Sequence, residues 1–171
     1  MRTMRITSVA LAAMLFSAPL GWAQPHDDKE RAEVAKAMKD AKVSLQQGVT
    51  ASAKEGTPIS AKYEVEDGKL QLSVYTMKGD KFSEVIVDHK TGKVAKADPI
   101  TKSDDLQAAK AQSEAMAKAK RSLGAAASEA VKENKGFRAI SAMPAMKEAH
   151  PVAEVMLLKG TQWKTVTEKL D

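Results

Sequence analysis

Few residues in this chain carry reactive side chains. There is no cysteine among the 171 residues, which excludes disulfides, thiolate nucleophiles and thiolate metal sites. The imidazoles are His26, His89 and His150. Acid–base or nucleophilic catalysis needs a base held beside a nucleophile or a paired acid. The sequence has no G-x-S-x-G, no H-E-x-x-H, no glycine-rich phosphate loop and no aspartate-rich calcium loop. No catalytic residue is assigned, and the expectation is a non-enzyme without a cofactor. The densest set of potential ligands is Met143, Met146 and His150, in a run read as a loop from Pro144 to Pro151. Thioether and imidazole donors suit soft cuprous or silver ions. Methionines also fill gaps in packing, and the cluster lacks a fourth ligand. Soft-metal binding is therefore the alternative reading, not the first.

Two aromatic residues, Phe82 and Trp163, lie in strand-like sequence. Each is read either as a packing residue or as a partner-binding anchor. Asp88, Thr91 and Gly92 form a turn signal. The Asp and Thr side chains bond locally to backbone N–H groups, and Gly takes the left-handed position.

Elements that would hold these residues follow from an internal match. Ala37-Met38-Lys39-Asp40-Ala41-Lys42-Val43-Ser44-Leu45 corresponds to Ala115–Leu123 at an offset of 78, with six of nine positions identical. Holding that offset, Lys54-Glu55 falls on Lys132-Glu133, and Ala61 on Ala139. Lys78–Val85 then matches Lys159–Val166 at an offset of 81, so three residues are inserted in between. This predicts two α+β modules, residues 24–98 and 106–171, with 99–105 as a Pro-containing polar linker. In the first, Asp27-Asp28 opens a helix bearing Val34, Met38 and Ala41. Ser44-x-x-Gln47 is a capping box for a second helix, with Leu45, Val49 and Ala53 on one face and Gly56 as its stop. Ile59, Ala61, Tyr63 and Val65 alternate with polar residues, and Asp67-Gly68 signals a hairpin. Leu70–Val74, Phe82–Val87 and a short strand at Val94 follow. Phe82 and Ile86 fall on one face of their strand and Val85 and Val87 on the other, which predicts a sheet covered on both sides, with the other module as one cover. In the second module Phe137–Met143, Val152–Leu158 and Gln162–Thr167 are the matching strands. That module lacks the last hairpin, which predicts an open sheet edge for an extended peptide.

Val87-Asp88-His89-Lys90-Thr91-Gly92-Lys93-Val94 resembles the V-D-x-x-T-G-x-V ending of PepSY domains. The Ser44-Leu45 helix start, the Asp67-Gly68 hairpin and the Phe82 strand fall in the family's order upstream. The resemblance covers about 43–97 well, and 121–170 only through the internal match. It implies a helix, or helix pair, on a three- to four-stranded antiparallel sheet in each module. It also implies a non-enzymatic role, binding another envelope or secreted protein, with modulation of a peptidase among the roles it suggests.

Residues 1–23 read as an export signal: Arg2 and Arg5, the apolar run Ile6–Phe16, then small residues ending Gly21-Trp22-Ala23. Cleavage before Gln24 would leave a periplasmic or secreted product with no stable membrane insertion. Without that segment 25 basic residues face 22 acidic ones, interspersed along the helices. So small a net charge argues against nucleic acid as a partner.

Overall fold

The computed structural model describes residues 28–171; the predicted export signal and His26 lie outside them. Asp28–Ala37 forms helix α1, with Asp28 and Glu30 in its first turn, where the helix dipole favours acids. A 3-10 turn, Met38–Asp40, extends it. Helix α2, Leu45–Ser52, starts at the expected capping box. Gln47 N–H donates to Ser44 Oγ at 3.2 Å, and Ser44 N–H donates to Gln47 Oε1 at 2.7 Å. Strands β1 (Thr57–Glu66), β2 (Lys69–Lys78), β3 (Lys81–Val87) and β4 (Val94–Pro99) follow as a meander. Helix α3 is Ser103–Lys118, so it begins inside the predicted linker. Helix α4 is Leu123–Glu133, and its cap Ser122 again accepts from the N–H three residues on. Strands β5 (Arg138–Lys147), β6 (His150–Lys159) and β7 (Gln162–Lys169) end the chain.

The protein is α+β, with four helices and a seven-stranded antiparallel sheet among the described residues. The strand order is β4-β3-β2-β1-β5-β6-β7. Instead of two separate small sheets there is one, joined where Ala61 pairs with Ala142 and Lys62 with Ser141. Leu72, Val74, Val85, Val87, Val155 and Leu157 share a core with Leu45 and Val49 of α2 and with Leu123, Ala126 and Ala130 of α4. Each fully buried aliphatic there contributes about 1.5–3 kcal/mol. Residues on the opposite face, by strand alternation, meet the other helices. Tyr75 clusters with Ile59 and Ala109 of α3, with Met77, Phe82 and Ile100 packed against them, and Arg31 of α1 lies over Trp163. Phe82 is half-buried against a cluster that includes a helix residue from the other half of the chain.

Several sequence expectations change. The segment read as a loop from Pro144 to Pro151 is strand, closed by a two-residue turn at Glu148-Ala149. Both residues have positive φ, 48° and 67°, where Asp67-Gly68 has 49° and 72°. The register of the flanking strands imposes the turn on residues that do not favour it, so turn chemistry gave no signal. The strands begin 81 residues apart throughout, at 57 and 138, 69 and 150, 81 and 162. The three extra residues therefore lie in α4, which has 11 residues to the 8 of α2, and Ala61 corresponds to Ala142, not Ala139.

Candidate functional site

Trp163 is set on β7 directly opposite Leu158 of β6, half-buried, on the face that α1 crosses. Helix α1 is fixed there by Arg138 at the start of β5. The Arg138 guanidinium donates to the carbonyl oxygens of Met38 and Ala41 at 3.0 Å each, and to that of Val43 at 3.3 Å. These three carbonyls follow α1, Met38 O also accepting from Ala41 N–H at 3.3 Å, and a planar cation with several N–H groups suits such a set of acceptors. Tyr63 donates its hydroxyl to Val43 O at 2.7 Å, and burial pushes that phenol up to about 12.

Between α1 and the β6–β7 turn runs a groove of about 430 Å³. Trp163 and Ala35 line it, with Gly160-Thr161 at one lip and Arg31, Lys36 and Lys39 at the other; Asp28 is its one acid among the described residues. The Arg31 guanidinium carbon lies 5.9 Å from the centre of the Trp163 ring, within cation–π range. The matched aromatic, Phe82, is half-buried like Trp163. It packs beside Ala109 of α3, which is fully buried, and Ala109 is the residue 78 positions after Arg31. Arg31, Lys36, Lys39 and Arg138 were not singled out from the sequence. The exchange of Arg31 for Ala109 at the repeat offset was the available signal for the first.

The Asp88 turn is built as expected. Asp88 Oδ1 accepts from Thr91 N–H at 2.6 Å, Lys90 N–H at 3.0 Å and Thr91 Oγ1 at 2.9 Å, and Gly92 has φ 73°. These bonds, chiefly those from Thr91, hold the exposed Asp88 carboxyl below the usual carboxylate range. The turn serves to present His89 O, which accepts from both Lys42 N–H and Val43 N–H at 2.9 and 3.0 Å. His89 Nδ1 is buried without a hydrogen-bond partner.

The proposed metal ligands do not converge. Met143 and Met146 are three residues apart on one strand, so they point to opposite faces of the sheet. Met143 is buried, its sulfur 4.0 Å from Gln112 Nε2 of α3. His150 begins β6, and its Nδ1 lies 2.6 Å from Asp171 Oδ2. Among the described residues no group of three His, Cys, Asp or Glu side chains is placed to hold a metal ion.

A polar patch occupies the Tyr75 face of the first four strands. Ser73 Oγ donates to Glu64 Oε1 at 2.8 Å, Lys62 pairs with Glu64, and Glu84 lies nearby with its carboxyl raised, mainly by burial. Burial and neighbouring acids also raise Tyr75 far above an ordinary phenol. Lys62 offsets the charge of Glu64 at the margin of the α3 packing.

Among the described residues no helix is long and apolar enough to cross a membrane. Comparison with protein-family models, with curated proteins and with solved structures finds no match to this chain.

Proposed function

We propose that this is an exported, non-enzymatic binding protein of two PepSY-like modules, and that it acts by holding another envelope or secreted protein. The duplication is supported by bonds that recur at the offsets read from the sequence. Lys42 and Val43 N–H donate to His89 O, and Lys120 and Arg121 N–H donate to Leu170 O in the corresponding places. The bulge between Pro58 and Ser60 in β1 likewise has a counterpart between Ala139 and Ser141 in β5. Ala61 and Ala142, which correspond at 81, pair with each other, as residues on a local two-fold axis do.

The observation that carries the binding role is the asymmetry between the two aromatics. Both rings are half-buried, but Phe82 packs against the apolar Ile59, Tyr75 and Ala109 cluster, while Trp163 lines a groove with basic residues beside it. Half-exposed Trp and Arg residues in a concavity are the chemistry of interface anchors.

A photo-crosslinking residue placed at 163 and, separately, at 82 tests the reading in intact cells. The expected result is one adduct from 163 and none from 82, with the partner identified by mass spectrometry. The purified partner should then bind the native chain and lose affinity for Trp163→Ala. No adduct from 163, or the same adducts from both positions, would overturn the reading. If the partner is a peptidase, its activity with and without added chain decides whether binding inhibits it.

A further inference from the structure

We propose that the groove between α1 and the β6–β7 turn recognises an acidic segment of the partner, seating one apolar side chain on Trp163 with carboxylates on either side of it. The inference rests on the binding role above and names the ligand chemistry.

Three observations lead to it. The first is volume: about 430 Å³ falls within the range of about 300–1,000 Å³ usual for ligand sites. The second is charge. Arg31, Lys36 and Lys39 border the groove against Asp28, the single acid there among the described residues. Lys36 and Lys39 are exposed and form no ion pair among the described residues. An intramolecular role would pair these ammonium groups; an anionic visitor leaves them available. The third is the contrast within the chain. Seventy-eight residues after Arg31 stands Ala109, and there the half-buried Phe82 packs against an apolar cluster that includes this alanine. At the corresponding place by Trp163 an arginine puts a guanidinium over the ring.

The geometry sorts the ligand. The ring face takes an apolar or aromatic side chain. Arg31, stacked near that ring, adds positive charge at the same lip, and Lys36 of α1 and Lys39 of the 3-10 turn after it, three residues apart, present two further charges. A basic segment would meet three like charges, and a purely acidic one would leave the Trp163 ring uncovered.

The indole itself reports the test. The sequence has two tryptophans, Trp22 and Trp163, so in the full chain carrying Trp22→Phe all tryptophan emission comes from the groove. Three synthetic peptides are titrated against it: leucine flanked by glutamates, leucine flanked by lysines, and glutamates without leucine. We expect a saturable emission change with the first, weaker at high salt, none with the second, and clearly weaker binding with the third. Lys36→Glu with Lys39→Glu, both at exposed positions, should weaken the first peptide by about tenfold or more with an unchanged melting temperature. Equal response to acidic and basic peptides, or affinity untouched by the double reversal, would overturn the proposal. So would absence of any saturable change. If crosslinking from position 163 still yields a partner while acidic peptides fail, the ligand class is wrong and the binding role stands. If both fail, the binding role falls too.

Discussion

Gly48→Ala measures how tightly α2 is seated on the sheet. A methyl at Gly48 would lie 2.3 Å from Leu72 Cδ2 and 3.0 Å from its Cγ. Leu72 is fully buried at the centre of the core, so it has no solvent to swing into. Helix propensity alone favours the substitution by about 1 kcal/mol. Overpacking a well-filled core costs about 1–3 kcal/mol, and a 2.3 Å approach belongs at the upper end. The net expectation is a loss of about 1–2 kcal/mol, the difference of those two effects. Gly124→Ala in α4 is the matched control. Its nearest neighbour is Val49 Cγ1 at 3.6 Å, an ordinary contact, so propensity should win and stability rise by a few tenths to about 1 kcal/mol. Urea denaturation followed by circular dichroism reads both signs, and a chain of this size shifts its melting point by about 2–4 °C per kcal/mol. A second arm combines Gly48→Ala with Leu72→Ala. Leu72→Ala alone should cost about 2–5 kcal/mol. With the leucine gone the new methyl has room, so the pair should cost less than the sum by about 1 kcal/mol or more. If Gly48→Ala matches or exceeds the native chain in stability, or the double variant is additive, the packing account of α2 is wrong.

Arg138→Met should destabilise the chain by about 1–3 kcal/mol, since it strips three carbonyls of a charged donor at a site open on one side. Lysine should not restore it, because one ammonium does not span three acceptors; full recovery in Arg138→Lys would count against the assignment. Asp88 has a lowered pKa, so its stabilisation is present above the ordinary carboxylate value and lost as pH falls through the lowered one. Following its carboxyl by NMR checks this, and Asp88→Asn should flatten that part of the acid limb of the stability curve. Glu84 has a raised pKa, chiefly through burial, so its ionised form penalises the native state. Glu84→Gln should therefore raise the melting point at neutral pH. The gain should fade as pH falls through the raised value toward the ordinary carboxylate range; a gain that is independent of pH would point to packing instead.

Much of the local structure was legible because it rests on contacts within a few residues. The Ser44–Gln47 capping box, the Asp67-Gly68 hairpin and the Asp88–Thr91 turn are each satisfied by their own neighbours. The alternation of Leu70, Leu72 and Val74 reported a strand, although Ser73 and Tyr75 on its other face are buried as well. The Glu148-Ala149 turn was missed because it contains no turn residue. Its conformation is dictated by β5 and β6 pairing from Arg138–Leu158 to Lys147–His150. The same error placed Met143, Met146 and His150 in a common loop, where convergence seemed feasible; a pleated strand separates the two methionines.

The sequence alone determined the kinds of element, their order and the repeated spacing of 78 and 81, since periodicity and turn chemistry are properties of neighbouring residues. It also marked Phe82 and Trp163 as corresponding positions. Which of them joins an apolar cluster and which lines a groove bordered by basic residues was decided only by the tertiary structure. The cover for each strand comes from a helix in the other half of the chain: α3 brings Ala109 to the Phe82 cluster, and α1 brings Arg31 to Trp163. Long-range packing of that kind leaves no trace in local periodicity. It depends on the β1–β5 pairing that fuses the sheet and on the Arg138 bonds that fix where α1 lies.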